Sequence, residues 1–214
     1  STNTDKCTSE ILRDTLSEFG ICPDNIQYLS DCSHESKIEL ARQDRFVDLM
    51  VIRAGVEAVD KLREYAIVPI IVAGEGNCHI YIDEDASFDM ACDIVVNSKV
   101  PRPKACNAAE TILIHKDWGV QHFTELINKL LENNIEIFGC EKSTQLHSSI
   151  KSANEFHFQH EFFAPALAVK IVEDIDEAIN HINQYRTPHT ETIISNNLEK
   201  VSCFKNYVEA NVIC

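Results

Sequence analysis

A cysteine near the middle of the chain stands in an unusual setting, within the stretch VPRPKACNAAETILIHK (residues 100–116). Two prolines stiffen the turn before Cys106, and Arg102 and Lys104 place two cations within four residues of its thiol. A thiol becomes a nucleophile when it is partly exposed and when nearby cations or a helix N-terminus favour its thiolate. The local sequence therefore makes Cys106 a candidate nucleophile, beside the more frequent explanation of a structural cysteine.

The other eight cysteines are scattered without a pairing pattern. No Cys-x-x-Cys occurs, and nine cysteines cannot all pair within one chain. Such a set is typical of a reduced intracellular protein, so we expect free thiols that mostly serve as small buried hydrophobic residues.

Acidic residues dominate the charge: 34 Asp and Glu against 19 Lys and Arg give a formal net charge of −15. This field repels phosphate backbones and anionic membrane surfaces, which argues against nucleic-acid and membrane partners. The N-terminus is polar and no apolar run reaches the ~20 residues of a membrane span, so we expect neither a signal peptide nor a transmembrane helix. An anionic small substrate would need local positive charge, which Arg102 and Lys104 provide beside the cysteine.

Two further motifs could hold a ligand. GEGNCH (74–79) is rich in glycine but lacks the G-x-G-x-x-G spacing and leads into a strand. It predicts a tight turn, or a backbone that approaches a ligand closely, rather than a dinucleotide fingerprint. HFQHE (157–161) puts two histidines three residues apart, whereas zinc needs H-E-x-x-H or another closed ligand set. We therefore expect no metal site.

The elements that must position these residues alternate between helix and strand. Apolar residues at helical spacing predict helices over 9–19, 36–44, 55–65, 88–99, 118–132, 175–185 and 197–208. Short apolar runs predict strands over 26–29, 47–52, 68–73, 79–83, 111–115, 135–139, 167–172, 191–195 and 211–214.

Two segments carry more specific expectations. The run 47–52 predicts a fully buried strand, and the polar, histidine-rich residues 140–160 predict a loop. Strands separated by helices of this length need crossover connections, so the fold class is α/β with mainly parallel sheets. Because the alternation has no closing element at either terminus, we expect a piece of a larger protein.

Three blocks carry a family resemblance: GEGNCHIYIDEDASFDMA, then RPKACNAAETILIH, then VEDIDEAINHINQYRTPHTETI. They resemble gamma-glutamyl phosphate reductase (glutamate-5-semialdehyde dehydrogenase) and the reductase half of pyrroline-5-carboxylate synthase, both of the aldehyde dehydrogenase superfamily. The similarity runs from about Thr8 to Cys214. It implies a parallel-sheet aldehyde-dehydrogenase-like fold in a partial chain. Residues 1–67 would be the second part of the coenzyme-binding domain, and 68–214 a catalytic domain incomplete at its C-terminal end.

The resemblance also implies a reaction: NADPH-dependent reduction of L-glutamate 5-phosphate to L-glutamate 5-semialdehyde, with release of phosphate, in proline biosynthesis. Cys106 occupies the catalytic cysteine position and would form a thioacyl intermediate, with its backbone N–H helping to stabilise the oxyanion. Asn77, His79, Arg102 and Asn107 are expected to line the substrate and oxyanion site. A satisfied strand histidine stays open for His79, and a turn cap for Asn107.

The same resemblance places the coenzyme NADP(H) at two turns. Arg53, Ala54 and Gly55 stand at a strand-to-helix turn, where a helix N-terminus favours an anion such as a pyrophosphate. Gly74 and Gly76 stand in the glycine-rich turn, and both are expected to contact the coenzyme.

Departures from the family pattern support an alternative, a non-catalytic pseudoenzyme or interaction module that keeps the fold. The family has a proline where Ile52 stands, a glycine where Ala54 stands and a small residue where Arg186 stands. A third reading, a hydrolytic aldehyde dehydrogenase, is weakened because such enzymes carry a glutamate base at the position that aligns with Ala73.

The implied partners follow from the family. They are the small-molecule substrate L-glutamate 5-phosphate, glutamate 5-kinase as a channelling partner, and further copies of the chain in a homodimer or larger assembly. The implied location is the cytoplasm, or the mitochondrion if the chain derives from a eukaryotic bifunctional synthase.

Overall fold

A computed structural model of the chain describes residues 2–54, 56–72 and 76–214. The chain divides into two compact units, residues 1–73 and 74–214. The sequence predicts this boundary between residues 67 and 68. The difference is the strand Ile70–Val72, which pairs in parallel with Met50–Ile52 and so belongs to the first unit. What each unit does stays a prediction.

The first unit contains the helices α1 (Thr2–Glu18), α2 (His34–Ala41) and α3 (Val56–Arg63) and the strands β1 (Met50–Ile52) and β2 (Ile70–Val72). The end of α1 is confirmed near Gly20, whose φ of 71° is the left-handed conformation that glycine adopts without strain. The Ile21 N–H closes the turn by donating to the Leu16 carbonyl at 2.9 Å.

Two predictions for the first unit are wrong. Residues 26–29 form no strand, because the Arg13 guanidinium donates to the Ile26 carbonyl at 2.6 Å and ties this segment to α1. Strand β1 is not fully buried, since Val51 is 66% exposed.

The second unit contains the helices α4 (Phe88–Lys99), α5 (Val120–Glu132), α6 (Glu141–Leu146), α7 (Glu155–Gln159), α8 (Ile175–Tyr185) and α9 (Leu198–Tyr207). Its strands are β3 (Cys78–Ile82), β4 (Ala109–His115), β5 (Glu136–Gly139), β6 (Lys151–Ser152), β7 (Ala166–Val172), β8 (Thr190–Ile194) and β9 (Val212–Ile213). Within the described residues they form one seven-stranded sheet in the order β6-β5-β7-β4-β3-β8-β9, and every neighbouring pair is parallel. The predicted α/β class with a parallel sheet is confirmed.

The predicted loop over residues 140–160 is wrong, because α6, β6 and α7 lie within it. Strand β6 extends the sheet edge through the register pair Phe138 and Lys151. Helix α7 begins with a reciprocal cap between Asn154 and His157, in which the Asn154 N–H donates to the His157 Nδ1 at 3.1 Å. The segment is polar and its elements are short, so no apolar period announces them.

The core of the second unit lies on both faces of the central strands β3 and β4, whose residues are all buried. Ile80 and Ile112 point to one face with Leu126 of α5, whereas Tyr81 and Leu113 point to the other. This alternation follows the two-residue period of a strand. The crossover helices therefore cover both faces of these central strands. Among the described residues, no helix combines the length and apolar character that crossing a membrane requires.

Replacing Leu126 by alanine tests the position of this core. Leu126 is fully buried, so Leu126→Ala should lower the free energy of unfolding by about 2–5 kcal/mol, as lost transfer energy and a cavity combine. Leu198→Ala is the matched control, because Leu198 is 83% exposed and should change stability by no more than about 0.5 kcal/mol. Chemical denaturation of both variants measures the difference, and equal effects would contradict the described packing.

Candidate active site

Four chain segments meet at the amino-terminal edge of the seven-stranded sheet. Residues 76–77 precede β3, residues 106–107 precede β4, residues 160–165 precede β7 and residues 187–189 precede β8. Because the strands are parallel, their amino-terminal ends share one edge. Hydrogen bonds between these segments, described below, show that they pack against one another.

Cys106 lies in the loop of residues 100–108 between α4 and β4, here called the cysteine loop. Two successive turns shape it: the Ala105 N–H donates to the Arg102 carbonyl at 3.0 Å, and the Ala108 N–H donates to the Ala105 carbonyl at 2.9 Å. The thiol-bearing residue is half-buried. The geometry therefore presents Cys106 from a tight turn and not from inside a strand or helix.

Gly76 packs its backbone directly against Cys106. A Cβ atom at position 76 would lie 1.5 Å from the Cys106 carbonyl oxygen, so only glycine permits this approach. The same carbonyl oxygen accepts a hydrogen bond from the Cys78 thiol at 3.4 Å. The contact with the cysteine loop thus explains why glycine stands at position 76. A contact of Gly76 with a coenzyme stays a prediction.

The nine cysteines differ in exposure, and the expectation that most are buried is wrong. Cys78 and Cys92 are buried, whereas the half-buried set is Cys106, Cys140 and Cys203, and the exposed set is Cys7, Cys22, Cys32 and Cys214. Burial raises the pKa of Cys78 to about 12, so this thiol stays protonated and can donate to the Cys106 carbonyl.

A segment that we call the strap, residues 160–165 between α7 and β7, joins the site through two buried carboxylates. The Gly76 N–H donates to Glu161 Oε2 at 3.0 Å, and the Phe162 N–H donates to Glu110 Oε2 at 3.2 Å. The same Glu110 oxygen accepts from Lys99 Nζ at 2.8 Å. Burial raises the pKa of Glu110 to about 7 and lowers that of Lys99.

Sequence reasoning missed Lys99, Glu110 and Glu161. A signal for the first two exists, since opposite charges stand at the last residue of α4 and the second residue of β4, directly on either side of the cysteine loop. The partner of Glu161 lies 85 positions away in sequence, at Gly76, so no local pattern predicts it.

Asn77 is buried and joins separate segments of the chain through hydrogen bonds. Its side-chain amide donates to the Phe158 carbonyl at 2.9 Å and the Tyr185 carbonyl at 2.7 Å. Its backbone N–H donates to the Thr187 hydroxyl at 2.9 Å. The amide nitrogen therefore serves the protein itself, and a contact of Asn77 with substrate stays a prediction.

His79 lies inside the sheet and not in an open cleft, with 1% of its surface exposed. It faces Glu191, its register partner on β8, with 3.1 Å between His79 Nδ1 and Glu191 Oε2. His181 packs edge-on against His79, with ring centroids 5.7 Å apart. Burial raises the pKa of Glu191 and, aided by His79 and Lys170, lowers the pKa of His181 to about 2, so His181 is neutral.

The remaining predicted site residues lie on the surface or outside the described residues. Arg102 and Asn107 flank Cys106 and are exposed. In the first unit, Arg53 is exposed and Ala54 half-buried, in the turn between β1 and α3. Gly55 and Gly74 lie outside the described residues, as does Ala73, on which the comparison with hydrolytic enzymes depends.

Comparisons with known proteins support the family resemblance of the sequence. No protein-family model matches the chain. It is 38% identical to the gamma-glutamyl phosphate reductase of Listeria innocua over 211 residues, which are 99% of this chain and 51% of the relative. The reductase of Bacillus mycoides is also 38% identical, over 97% of this chain and 50% of its own length. The chain thus spans about half the length of the curated relatives it matches.

Solved structures agree with these sequence comparisons. The crystal structure of gamma-glutamyl phosphate reductase from Thermotoga maritima matches 99% of this chain and 51% of its own, with a TM-score of 0.90 and 29% identity. The propionaldehyde dehydrogenase of Rhodopseudomonas palustris, solved with propionyl-CoA, matches 94% of this chain and 52% of its own, with a TM-score of 0.71 and 19% identity. The latter supports the fold alone. The resemblance to gamma-glutamyl phosphate reductases and the aldehyde-dehydrogenase-like fold are confirmed.

The contact between Gly76 and Cys106 is tested by Gly76→Ala. The added Cβ must push the Cys106 carbonyl away from β3, which should lower the free energy of unfolding by about 1–3 kcal/mol and speed alkylation of the Cys106 thiol. Gly20→Ala is the control, because its Cβ meets no atom within 4 Å and only its positive φ is strained. Peptide mapping after iodoacetamide treatment measures alkylation, and an unchanged Cys106 rate in Gly76→Ala would contradict the close approach.

The buried His181 predicts an acid-sensitive stability. Its pKa in the folded chain lies far below the ordinary value of 6.5, so this histidine favours folding above pH 6.5, and the benefit is lost as the pH falls and the unfolded chain takes up a proton. Between pH 7.5 and 5.5 this one group should lower the free energy of unfolding by about 1.4 kcal/mol.

The variant His181→Phe should remove that component. Denaturation at the two pH values measures it as the difference between the variant and the unsubstituted chain. The same substitution at exposed His160 is the control for exchanging a histidine ring for a phenyl ring. An identical pH dependence in His181→Phe and the unsubstituted chain would show that His181 is not held neutral.

Proposed function

We propose that this chain supplies the cysteine-bearing part of a gamma-glutamyl phosphate reductase. The reaction is the reduction of L-glutamate 5-phosphate to L-glutamate 5-semialdehyde with release of phosphate, a step of proline biosynthesis. The observation that carries the proposal is the half-buried Cys106, presented by a tight turn against Gly76 at the sheet edge, in a chain related over 99% of its length to such reductases.

Cys106 is the proposed nucleophile. Its thiolate attacks the acyl carbon of the substrate, a sulfur–carbon bond forms, and the bond from that carbon to the phosphate oxygen breaks, so phosphate leaves with the electron pair. Among the described residues, nothing accepts a hydrogen bond from the Cys106 N–H. This donor is therefore available to the oxyanion that develops during the attack.

The coenzyme NADPH, when bound, supplies the hydride that reduces the thioester carbon. Arg53 and Ala54 fit a coenzyme phosphate, because the exposed Arg53 guanidinium stands three positions before Val56, the first residue of α3. After reduction, Cys106 regains its thiol when the sulfur–carbon bond of the thiohemiacetal breaks and the aldehyde forms.

Charge around Cys106 suits an acyl phosphate. The chain as a whole carries −15, which repels a doubly charged substrate. Arg102 and Lys104 are exposed within four residues of Cys106 and offset this field locally. Arg102 is therefore the proposed attraction point for the phosphate, and exposed Asn107 a further polar contact.

The alternative, a pseudoenzyme or interaction module that keeps the fold, is favoured by Arg186. This residue stands where the family has a small one, and its guanidinium forms an ion pair with Glu209. It lies one position from Tyr185, whose carbonyl the Asn77 amide binds at this edge of the sheet. A large cation so close to the site would hinder a substrate that needs the space.

The proposed function implies partners and a location. The substrate is a small molecule made by a kinase, so glutamate 5-kinase is the proposed channelling partner. A homodimer or larger assembly in the cytoplasm is the proposed form.

The nucleophile is tested by Cys106→Ala, with Cys140→Ala as the matched control because Cys140 is also a half-buried thiol of the second unit. In the chain completed to the length of its relatives, we expect phosphate-dependent reduction of NADP⁺ with glutamate semialdehyde to fall to background in the first variant and to persist in the second. Iodoacetamide at neutral pH should label Cys106 before exposed Cys7 or Cys214. Turnover that survives in Cys106→Ala overturns the assignment. A completed chain without turnover, whose Cys106 is nonetheless labelled first, supports the pseudoenzyme.

A further inference from the structure

A buried ion pair closes the base of the cysteine loop. Lys99 is the last residue of α4 and Glu110 the second of β4, so the two residues bracket the loop that carries Cys106. Lys99 Nζ and Glu110 Oε2 lie 2.8 Å apart, and both side chains are completely buried. We infer that Lys99 and Glu110 are a positioning pair, which holds the cysteine loop and the strap in one arrangement around Cys106.

The pair belongs to a continuous set of contacts that joins the strap, Gly76 and the cysteine loop. Glu110 binds the Phe162 N–H of the strap, and Lys99 also lies 5.9 Å from the centre of the Phe162 ring. The neighbouring Glu161 binds the Gly76 N–H, and the Gly76 backbone packs on the Cys106 carbonyl. The cysteine loop is therefore held at its two ends by Lys99 and Glu110, and at Cys106 by Gly76.

A gain in folding stability does not by itself explain why a buried ion pair stands between the cysteine loop and the strap. Desolvating a buried ion pair offsets much of its attraction, and apolar residues of similar volume are often as stabilising. An apolar pair cannot, however, reproduce the two hydrogen bonds that converge on Glu110 Oε2 from Lys99 Nζ and the Phe162 N–H. These two hydrogen bonds fix the spacing between the cysteine loop and the strap, which an apolar pair would not do.

The consequence for catalysis rests on the proposed function, whereas the positioning itself can be measured without turnover. Because Cys106 lies inside the bracketed loop, a loosened base lets the thiol leave the position set by Gly76. Lys99 and Glu110 act through the loop and touch no reacting atom, so neither is a catalytic residue.

The test is amide hydrogen exchange, read by mass spectrometry, on the variants Lys99→Met and Lys99→Met/Glu110→Met. The double variant removes both members of the pair and not Lys99 alone, so it remains informative if the single variant fails to fold. Lys116→Met is the matched control, since Lys116 follows β4 and forms an exposed ion pair with Glu173 at 2.7 Å. All proteins are also treated with iodoacetamide, and Cys106 and Cys140 are compared.

We expect exchange in the cysteine loop and the strap to become at least about tenfold faster in the double variant, relative to the change in α5. Alkylation of Cys106 should change while that of Cys140 does not, and Lys116→Met should match the unsubstituted chain. A uniform change across the loop, strap and α5 would mean that the pair only stabilises the fold and would overturn the inference, as would no change at all. Neither result depends on reductase activity, so failure here is distinct from failure of the proposed reaction.

Discussion

The close approach of Gly76 to the Cys106 carbonyl is the constraint on which the candidate site depends. It is possible because position 76 has no side chain, and it requires the turn before β3 and the turn before β4 to lie in contact. A parallel sheet provides this arrangement, since strands that run in the same direction begin at the same edge. The buried contacts of the strap then hold both turns in place, through Glu161 on one side and Glu110 on the other.

Charge at this edge is arranged in two layers. Exposed cations at Arg102 and Lys104 face solvent in a chain that is otherwise strongly acidic, which suits an anionic substrate. Beneath them, ionisable side chains are buried in pairs: Lys99 with Glu110, and His79 with Glu191. The buried layer shapes the backbone around Cys106 and the exposed layer is free to meet a ligand, so the two layers serve different parts of the proposed chemistry.

Much of the fold could be predicted from the sequence, because the strong apolar runs of β3, β4 and β7 and the amphipathic α5 follow simple periods. The segment 140–160 could not, since α6, β6 and α7 are short and polar, and the reciprocal cap of Asn154 and His157 was the one local signal.

The candidate site, like the fold, is only partly predictable from the sequence. The neighbours of Cys106 make it a candidate nucleophile, and the family resemblance puts it at the catalytic cysteine position. Its supports Glu110, Glu161 and Asn77, in contrast, depend on partners 52 to 110 positions away. The location of the site was a second difficulty, because ligands of open α/β sheets usually bind beyond the carboxyl ends of the strands, and this candidate site lies at the amino-terminal edge.

The central claim is that Cys106 accepts an acyl group from an acyl phosphate. The most direct measurement is incubation of the chain with acetyl phosphate in the absence of any reductant, followed by peptide mapping for a thioester that hydroxylamine removes. The account predicts acylation at Cys106 ahead of exposed Cys7, Cys22, Cys32 and Cys214. An unmodified Cys106, or a thioester confined to the exposed cysteines, would contradict it.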